Sequence, residues 1–234
     1  MVLLVLASCG AHGGPAVPLP VAPPISLASI PPALAAGEQT TWQVFFRNIN
    51  IGRVELAIDP HQARTTFRTG VLASALSSIH YELVTALDHG RVVGTTETLT
   101  KDGRTNRSDV IVDGAMFIPK QGVPQRVPGG TQLHTLQSAL GVLRTWSRKD
   151  PRPGYLWVIH QGRLFRLDVF RPSRDEVLGI RSLRVEGIVR ALDGAPAITM
   201  TLWLAANRDR TPVRFLIDGV SAEVLESTAS FESR

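Results

Sequence analysis

Short β-type segments joined by tight turns recur along most of this chain. An Asp-Gly pair between two alternating apolar runs is typical of a two-residue β-hairpin turn. Strands that follow one another through such turns pair antiparallel, and there is no βαβ alternation that would predict a parallel sheet. The repeated pairs therefore predict an antiparallel meander. They are Asp102-Gly103, Asp113-Gly114, Asp193-Gly194 and Asp218-Gly219.

About a dozen strands are predicted by period-two alternation of apolar and polar residues. A sheet of that size must curl, close or split into two layers. The predicted strands are Trp42–Phe46, Ile49–Ile58, Thr65–Ser74, Ile79–Leu87, Arg91–Thr100, Thr105–Val112, Ala115–Ile118, Tyr155–His160, Arg163–Arg171, Glu176–Ile180, Leu183–Leu192, Ile198–Ala205, Pro212–Ile217 and Val220–Phe231.

One α-helix is predicted, from about Leu133 to Arg148. Leucines recur through this segment at helical spacing. Thr131 or Gln132 is the predicted cap, and Pro151 follows the helix, as prolines often do. The predicted fold class is therefore mainly β, with a large curled antiparallel sheet wrapping one α-helix.

The composition suits a packed core and narrows the chemistry. The chain is 44% apolar and 19% charged and has one cysteine, so it forms no intrachain disulfide, thiolate metal site or second reactive thiol. Of its 25 basic residues, 22 are arginine, and they are dispersed. Without a basic stripe interleaved with aromatics, nucleic acid is not an expected partner. Attraction to anionic lipid headgroups or lipopolysaccharide is favoured.

The single cysteine, Cys9, ends the tetrad Leu6-Ala7-Ser8-Cys9, which resembles a bacterial lipobox. In that motif a lipid is attached to the cysteine and the preceding segment is removed. Residues 1–8 are then the remnant of a signal peptide, too short to span a bilayer. We expect a lipoprotein anchored in the cell envelope and facing the periplasm. Gly10, in place of an aspartate, favours the outer membrane.

Residues 9–37 are predicted to be a lipidated cysteine followed by a tether. Residues 10–37 are rich in proline, alanine and glycine. Because proline lacks an amide donor and fixes φ, this stretch is expected to stay outside the sheet and helix. The folded domain is therefore predicted to be 38–234.

The domain resembles the exported bacterial family known as domain of unknown function DUF3108. The resemblance runs from Trp42 to the C-terminus and implies a spiral β-roll or half-barrel around a helix, similar to periplasmic lipid or lipoprotein carriers. It implies no catalytic activity. Relatives often carry an aspartate at the position of Thr135 and acidic residues at Ala206-Asn207. The matching segments are Ile49–Val54, Ser138–Arg144, Gly154–Leu167, Trp203-Leu204, Thr211–Val213 and Ala222–Leu225.

Catalytic and metal signals are weak, so no catalytic residue, metal ligand or cofactor is predicted. There is no Gly-x-Ser-x-Gly elbow. Ser138 and His134 share a helix face but have no acid to orient them. Glu82, Glu97, Asp168 and Glu186 could line a groove but are better explained as solvent-facing residues. The six histidines lack metal-ligand spacing: His12, His61, His80, His89, His134 and His160.

Aromatic residues in the predicted strands are the best candidates for ligand binding. If the concave face of the sheet is not filled, it would suit an acyl chain or a hydrophobic peptide. We therefore expect a non-catalytic envelope protein that binds a lipid, glycan or protein partner. The alternatives are an envelope hydrolase acting on polysaccharide, which needs a polar cleft with paired acids or a His and a carboxylate, and a filled scaffold. The candidate residues are Tyr155, Trp157, Phe165 and Trp203.

Overall fold

Most of the described chain is one β-sheet. The computed structural model describes residues 24–120, 122–148 and 151–227, with every side chain in them except that of Leu72. In these ranges, seventeen strands form a single sheet. The strands are β1 (Ile25–Ser26), β2 (Gln39–Phe46), β3 (Ile49–Ile58), β4 (Gln62–Thr69), β5 (Ile79–Asp88), β6 (Arg91–Lys101), β7 (Arg104–Asp113), β8 (Met116–Pro119), β9 (Gln125–Arg126), β10 (Leu133–His134), β11 (Gly154–His160), β12 (Arg163–Val169), β13 (Ser173–Val177), β14 (Ile180–Ala191), β15 (Ile198–Ala205), β16 (Pro212–Ile217) and β17 (Val220–Ser227).

The sheet is a long antiparallel meander in which a strand from the end of the chain pairs with a strand near its beginning. The strands from β11 to β17 lie in chain order, β17 pairs antiparallel with β2, and the order then continues from β2 to β9. The long strand β14 pairs with β13 through residues 180–184 and with β12 through residues 187–191. The short strands β1 and β10 pair in parallel with β11. The predicted meander is thus confirmed, with two short parallel additions at one edge.

The sheet curls strongly, since strands far apart in its order touch one another. Tyr81 on β5 and His160 on β11 have ring centroids 6.0 Å apart. The backbone N–H of Gln161, in the β11–β12 turn, donates to Glu97 on β6 at 2.5 Å. The predicted class, a mainly β protein with a large curled antiparallel sheet around a helix, is confirmed.

Two of the four Asp-Gly pairs close hairpins as predicted, whereas at Asp113-Gly114 and Asp193-Gly194 only the glycine has a positive φ, and the latter pair lies in the longer connection 192–197. Asp102 and Gly103 have φ of 49° and 79°, and Asp218 and Gly219 have φ of 45° and 76°. Both residues of each pair are therefore in the left-handed region that a type I′ turn requires. One predicted strand, Glu176–Ile180, is wrong because it runs across such a turn at Leu178 and Gly179, with φ of 54° and 72°.

The helix is shorter than predicted. α1 (Val71–Ser74) is a single turn that replaces the end of the predicted strand Thr65–Ser74, and α2 (Leu136–Trp146) is the helix inside the curl. Thr135, not Thr131 or Gln132, caps α2 in a capping box with Ser138. Leu133 fits the helical spacing but is paired with Trp157 of β11 in the sheet. Among the described residues, no helix has the length and apolar character needed to cross a membrane.

The N-terminal stretch corrects the expectation that residues 10–37 stay outside the fold. Residues 24–37 pack on the domain, and the earlier part of the stretch lies outside the described residues. Leu27 is fully buried and its N–H donates to the carbonyl of Tyr155 at 3.0 Å. The N–H of Ala33 donates to the carbonyl of Gly141 on α2 at 2.9 Å. The argument from proline failed because residues between the prolines supply the donors.

Candidate functional site

An apolar cavity lies between α2 and the inner face of the sheet. Its volume is about 100 Å³. Thirteen of the fifteen described residues that line it are apolar. The lining comprises Leu136, Ala139, Leu140 and Leu143 on α2, and Val158, His160, Phe165, Leu167, Val189, Met200, Thr201, Leu202, Phe215, Leu216 and Ile217 on the strands.

The positions of the lining residues follow the helical period on α2 and the two-residue period on the strands. On α2 the lining residues recur three and four positions apart, so they share one helix face. On β11 and β12 the lining positions alternate, as with Val158 and His160, which places them on the inner face of the sheet. The apolar inner face of the sheet thus packs against the apolar face of α2, and a gap remains between these two surfaces.

A buried polar cluster lies beside this apolar lining. The Nδ1 atom of His160 is 2.7 Å from Oε2 of Glu97. The hydroxyl of Tyr81 donates to the same carboxylate oxygen at 2.7 Å, and the N–H of Gln161 donates to Oε1. His160 and Glu97 are each 3% exposed, and Tyr81 is fully buried. The carboxylate thus receives hydrogen bonds on both oxygens in a site closed to bulk water.

The hydrogen bonds fix the protonation of two members of this cluster. Burial works to raise the pKa of Glu97, but the charge and hydrogen bond of His160, together with Tyr81 and Gln161, hold it below its ordinary value. Burial, with the neighbouring Glu97 carboxylate, raises the pKa of Tyr81 well above its ordinary value. Glu97 is therefore an ionised acceptor and Tyr81 a neutral donor, and Nδ1 of His160 carries the proton that it shares with Glu97.

The second ring nitrogen of His160, Nε2, is buried and makes no hydrogen bond within the described residues. His160 lines the cavity and its Nδ1 is engaged by Glu97, so Nε2 is the nitrogen of this ring that remains to bind an occupant. An unsatisfied buried nitrogen of this kind costs about 1–3 kcal/mol, so its presence calls for an explanation.

The four aromatic residues proposed for ligand binding do not converge. Phe165 lines the cavity. Tyr155 and Trp157 lie on the opposite face of β11 from Val158 and His160, since adjacent strand residues point to opposite faces. The structure therefore brings only Phe165, of these four, to the cavity among the described residues.

Trp203 belongs to a separate cluster on the outer face of the sheet. Its indole N–H donates to Asp175 at 2.8 Å, and the guanidinium carbons of Arg184 and Arg214 lie 5.9 and 5.4 Å from its ring centroid. Its neighbour Leu202 points inward to the cavity, so Trp203 faces away from it. The position of Cys9 lies outside the described residues.

The pair of His160 and Glu97 was missed because each residue was judged alone. Glu97 was one of four carboxylates expected to face solvent, whereas it is buried, and His160 was judged only for metal-ligand spacing. The alternation of His160 with Val158 could have placed the imidazole on the inner face. No sequence signal joins β6 to β11 across the curl, so the pairing itself needed the structure.

The prediction that His134 and Ser138 share a helix face is wrong, because His134 lies on β10 and only Ser138 lies on α2. Ser138 Oγ lies 3.3 Å from Nδ1 of His134, but the same oxygen accepts the N–H of Thr135 in the capping box. Burial lowers the pKa of His134 to about 4, so this imidazole is neutral at pH 7. Within the described ranges, no group of three or more His, Cys, Asp or Glu side chains could hold a metal ion.

The fold defines the class of this chain, a mainly β protein built from one large curled antiparallel sheet and one helix. The chain is similar to a solved structure described as a beta-barrel-like protein of domain of unknown function DUF1849 from Brucella abortus. The TM-score is 0.58 and the identity 10%, over 83% of this chain and 98% of that one. At this identity the similarity shows the fold alone.

A second solved structure that the chain matches is a DUF1089 family protein from Pseudomonas aeruginosa, with a TM-score of 0.41 and 11% identity. That match covers 68% of this chain and 85% of the other. No protein-family model matches the chain, and no curated protein matches it.

Proposed function

We propose that this protein is a non-catalytic binding protein that takes an apolar chain, such as the acyl chain of a lipid, into the cavity between α2 and the sheet. The observation that supports this function is the cavity itself, which a densely packed interior would not retain. Each apolar square ångström that a ligand buries there contributes about 25 cal/mol. A lining that is apolar at thirteen of fifteen positions favours hydrocarbon over glycan.

The size of the cavity limits how much of a ligand it holds. A cavity of about 150 Å³ is known to take benzene, so about 100 Å³ holds on the order of four carbon atoms. One end of a chain therefore fits without movement of α2. The rest of the chain would extend outside this space.

The proposed setting is the cell envelope. Cys9 would carry the lipid, residues 10 to 23 would serve as the tether, and the domain would face the periplasm at the outer membrane. The lipobox-like tetrad and the resemblance to the DUF3108 family support this setting, and both come from the sequence. An envelope protein or lipopolysaccharide is the partner to which the cavity would present its ligand, or from which it would receive it.

Native mass spectrometry tests the proposed function. The full chain carrying Cys9→Ser, which removes the lipid-accepting thiol, is incubated with an envelope lipid extract and measured without detergent. We expect bound lipid on this chain and none after Ala139→Leu, which fills the cavity. Ala205→Leu is the matched control, since Ala205 is a buried alanine in the cluster around Trp203. No bound lipid before the filling change, or equal binding after it, would contradict the function.

An envelope hydrolase is the second candidate, favoured by one observation. The pair of His160 and Glu97 has the separation expected of a histidine and the carboxylate that orients it. However, the pair opens on an apolar cavity, and Nε2 has no nucleophile bound to it among the described residues. Release of reducing sugar from cell-wall polysaccharide, abolished by His160→Gln, would support the hydrolase over the binding protein.

A further inference from the structure

We propose that the cavity selects an uncharged chain with a terminal hydroxyl group, which hydrogen-bonds to Nε2 of His160. This inference rests on the proposed function and names the class of ligand. It starts from the buried imidazole of His160, in which one ring nitrogen contacts a carboxylate and the other has no hydrogen-bond partner among the described residues. Glu97 holds Nδ1 at 2.7 Å, whereas Nε2 has no partner in the described ranges.

The position of His160 gives the ligand a direction. The side chain of His160 is 4% exposed and lines the cavity. The hydroxyl therefore enters first and reaches the buried imidazole, and the hydrocarbon fills the space beside Leu140 and Leu202. The rest of the apolar chain then extends out of the cavity.

The charges around the cavity disfavour an anionic head group. Of the described residues that line it, none is lysine or arginine, and Thr201 is the second polar residue beside His160. The Glu97 carboxylate, which contacts Nδ1 of the imidazole, has the same sign as a fatty-acid head group. Placing a second carboxylate in an apolar space without a cation carries a large desolvation cost.

A hydroxyl group suits the imidazole in both of its protonation states. When the ring is neutral, Nδ1 donates to Glu97 and Nε2 accepts the hydroxyl hydrogen. When the ring is protonated, Nε2 donates to the hydroxyl oxygen. An ether oxygen, which only accepts, is matched to the protonated ring alone. The contrast between a hydroxyl and an ether of the same size therefore isolates the proposed contact.

The test is an NMR titration of the full chain carrying Cys9→Ser with three probes. The probes are 1-hexanol, its isomer 1-methoxypentane and the hexanoate anion, at pH 8. We expect 1-hexanol to bind about 3- to 10-fold more tightly than 1-methoxypentane, as one net hydrogen bond provides. Hexanoate is expected to bind at least about tenfold more weakly than 1-hexanol.

Variants separate this contact from the cavity as a whole. His160→Phe combined with Glu97→Gln keeps the ring volume and avoids an unpaired buried charge, and it should reduce the preference for the alcohol to none. The matched control is His134→Phe, since His134 is also buried with an unpartnered Nε2 but does not line the cavity. That control should keep the preference.

Four results would overturn the inference, and they differ in what else they affect. Equal binding of the two isomers, or a preference that survives the double variant, would remove the role of His160 and leave the binding function standing. Tighter binding of hexanoate would replace the hydroxyl with an anionic head group. Failure of all three probes to bind would count against the proposed function itself.

Discussion

The two sides of α2 are packed in different ways. Towards β4 and β5, the amide of Gln137 donates to the carbonyls of Ala63 and Leu83, at 3.3 and 3.1 Å, and its oxygen accepts from Thr85 at 2.6 Å. The space left near Gln137 is about 20 Å³. Towards β11 to β16 the contacts are apolar and the space is about 100 Å³.

This difference shows how a small protein keeps a cavity open. Directional hydrogen bonds hold the helix at a fixed distance from β4 and β5, so α2 does not move across to fill the gap. A buried ion pair between Arg144 on α2 and Glu38, at 2.8 Å, anchors the C-terminal half of the helix as well. We refer to the Gln137 side as the bonded side and to the other as the cavity side.

The largest expected effect comes from breaking the ion pair that anchors the helix. Arg144 and Glu38 have side chains 2% and 3% exposed, so Glu38→Ala leaves a buried charge without its partner. The free energy of unfolding should fall by about 3–5 kcal/mol in chemical denaturation. Glu55→Ala is the control, because the Arg53–Glu55 pair is exposed and contributes about 0–1 kcal/mol. Equal losses in the two variants would refute the anchoring role.

A smaller loss is expected on the bonded side. Gln137→Ala removes the donor to two backbone carbonyls and the acceptor for Thr85, and the free energy of unfolding should fall by about 3 kcal/mol. Gln125→Ala, at an exposed position, serves as the reference and should change little. A loss below about 1 kcal/mol for Gln137→Ala would mean that apolar packing alone positions the helix.

The pH dependence of stability tests the burial of His134 beside the start of α2. Burial lowers its pKa to about 4, against about 6.5 in the unfolded chain. The unfolded chain therefore takes up the proton first as pH falls. The resulting stability is complete above pH 6.5 and is lost as pH falls through about 4.

Between pH 7 and pH 5 this histidine should lower the free energy of unfolding by about 2 kcal/mol, measured by denaturation at each pH. His134→Gln should flatten that slope, whereas His61→Gln, at an exposed position, should leave it unchanged. An unaltered slope in His134→Gln would show that the imidazole is hydrated in the folded protein.

The smallest expected change in the free energy of unfolding comes from adding the same carbon atoms to the cavity side and to the bonded side of α2. Ala139→Leu adds carbon atoms on the cavity side, where space is present, and should change the free energy of unfolding by less than about 1 kcal/mol. Ala63→Leu adds the same atoms to a fully buried site on the bonded side and should cost about 1–3 kcal/mol. Equal costs would mean that the two sides are packed alike.

Local structure could be predicted from local signals. Asp102-Gly103 and Asp218-Gly219 marked turns in which both residues adopt positive φ, and the strands Ile49–Ile58, Ile198–Ala205 and Pro212–Ile217 have the predicted bounds. The start of α2 was placed too early because Leu133 satisfies the helical period while its backbone pairs with β11. A competing tertiary contact decided that boundary.

The candidate site could be predicted only in part, because it depends on contacts distant in sequence. A ligand site on the concave face was predicted on the condition that this face is not filled, and Phe165 was one of its four candidate residues. Tyr155 and Trp157 were chosen as aromatics without regard to their strand face, which is opposite to that of His160. The contact of His160 with Glu97 joins positions 63 residues apart across the curl, and no local pattern indicates it.

A crystal structure of the full chain carrying Cys9→Ser, soaked with 1-hexanol, tests the central claim most directly. The account predicts electron density for the alcohol beside Leu140 and Leu202, with its oxygen about 3 Å from Nε2 of His160. A cavity filled by ordered water, or by inward movement of α2, with no alcohol bound would contradict it.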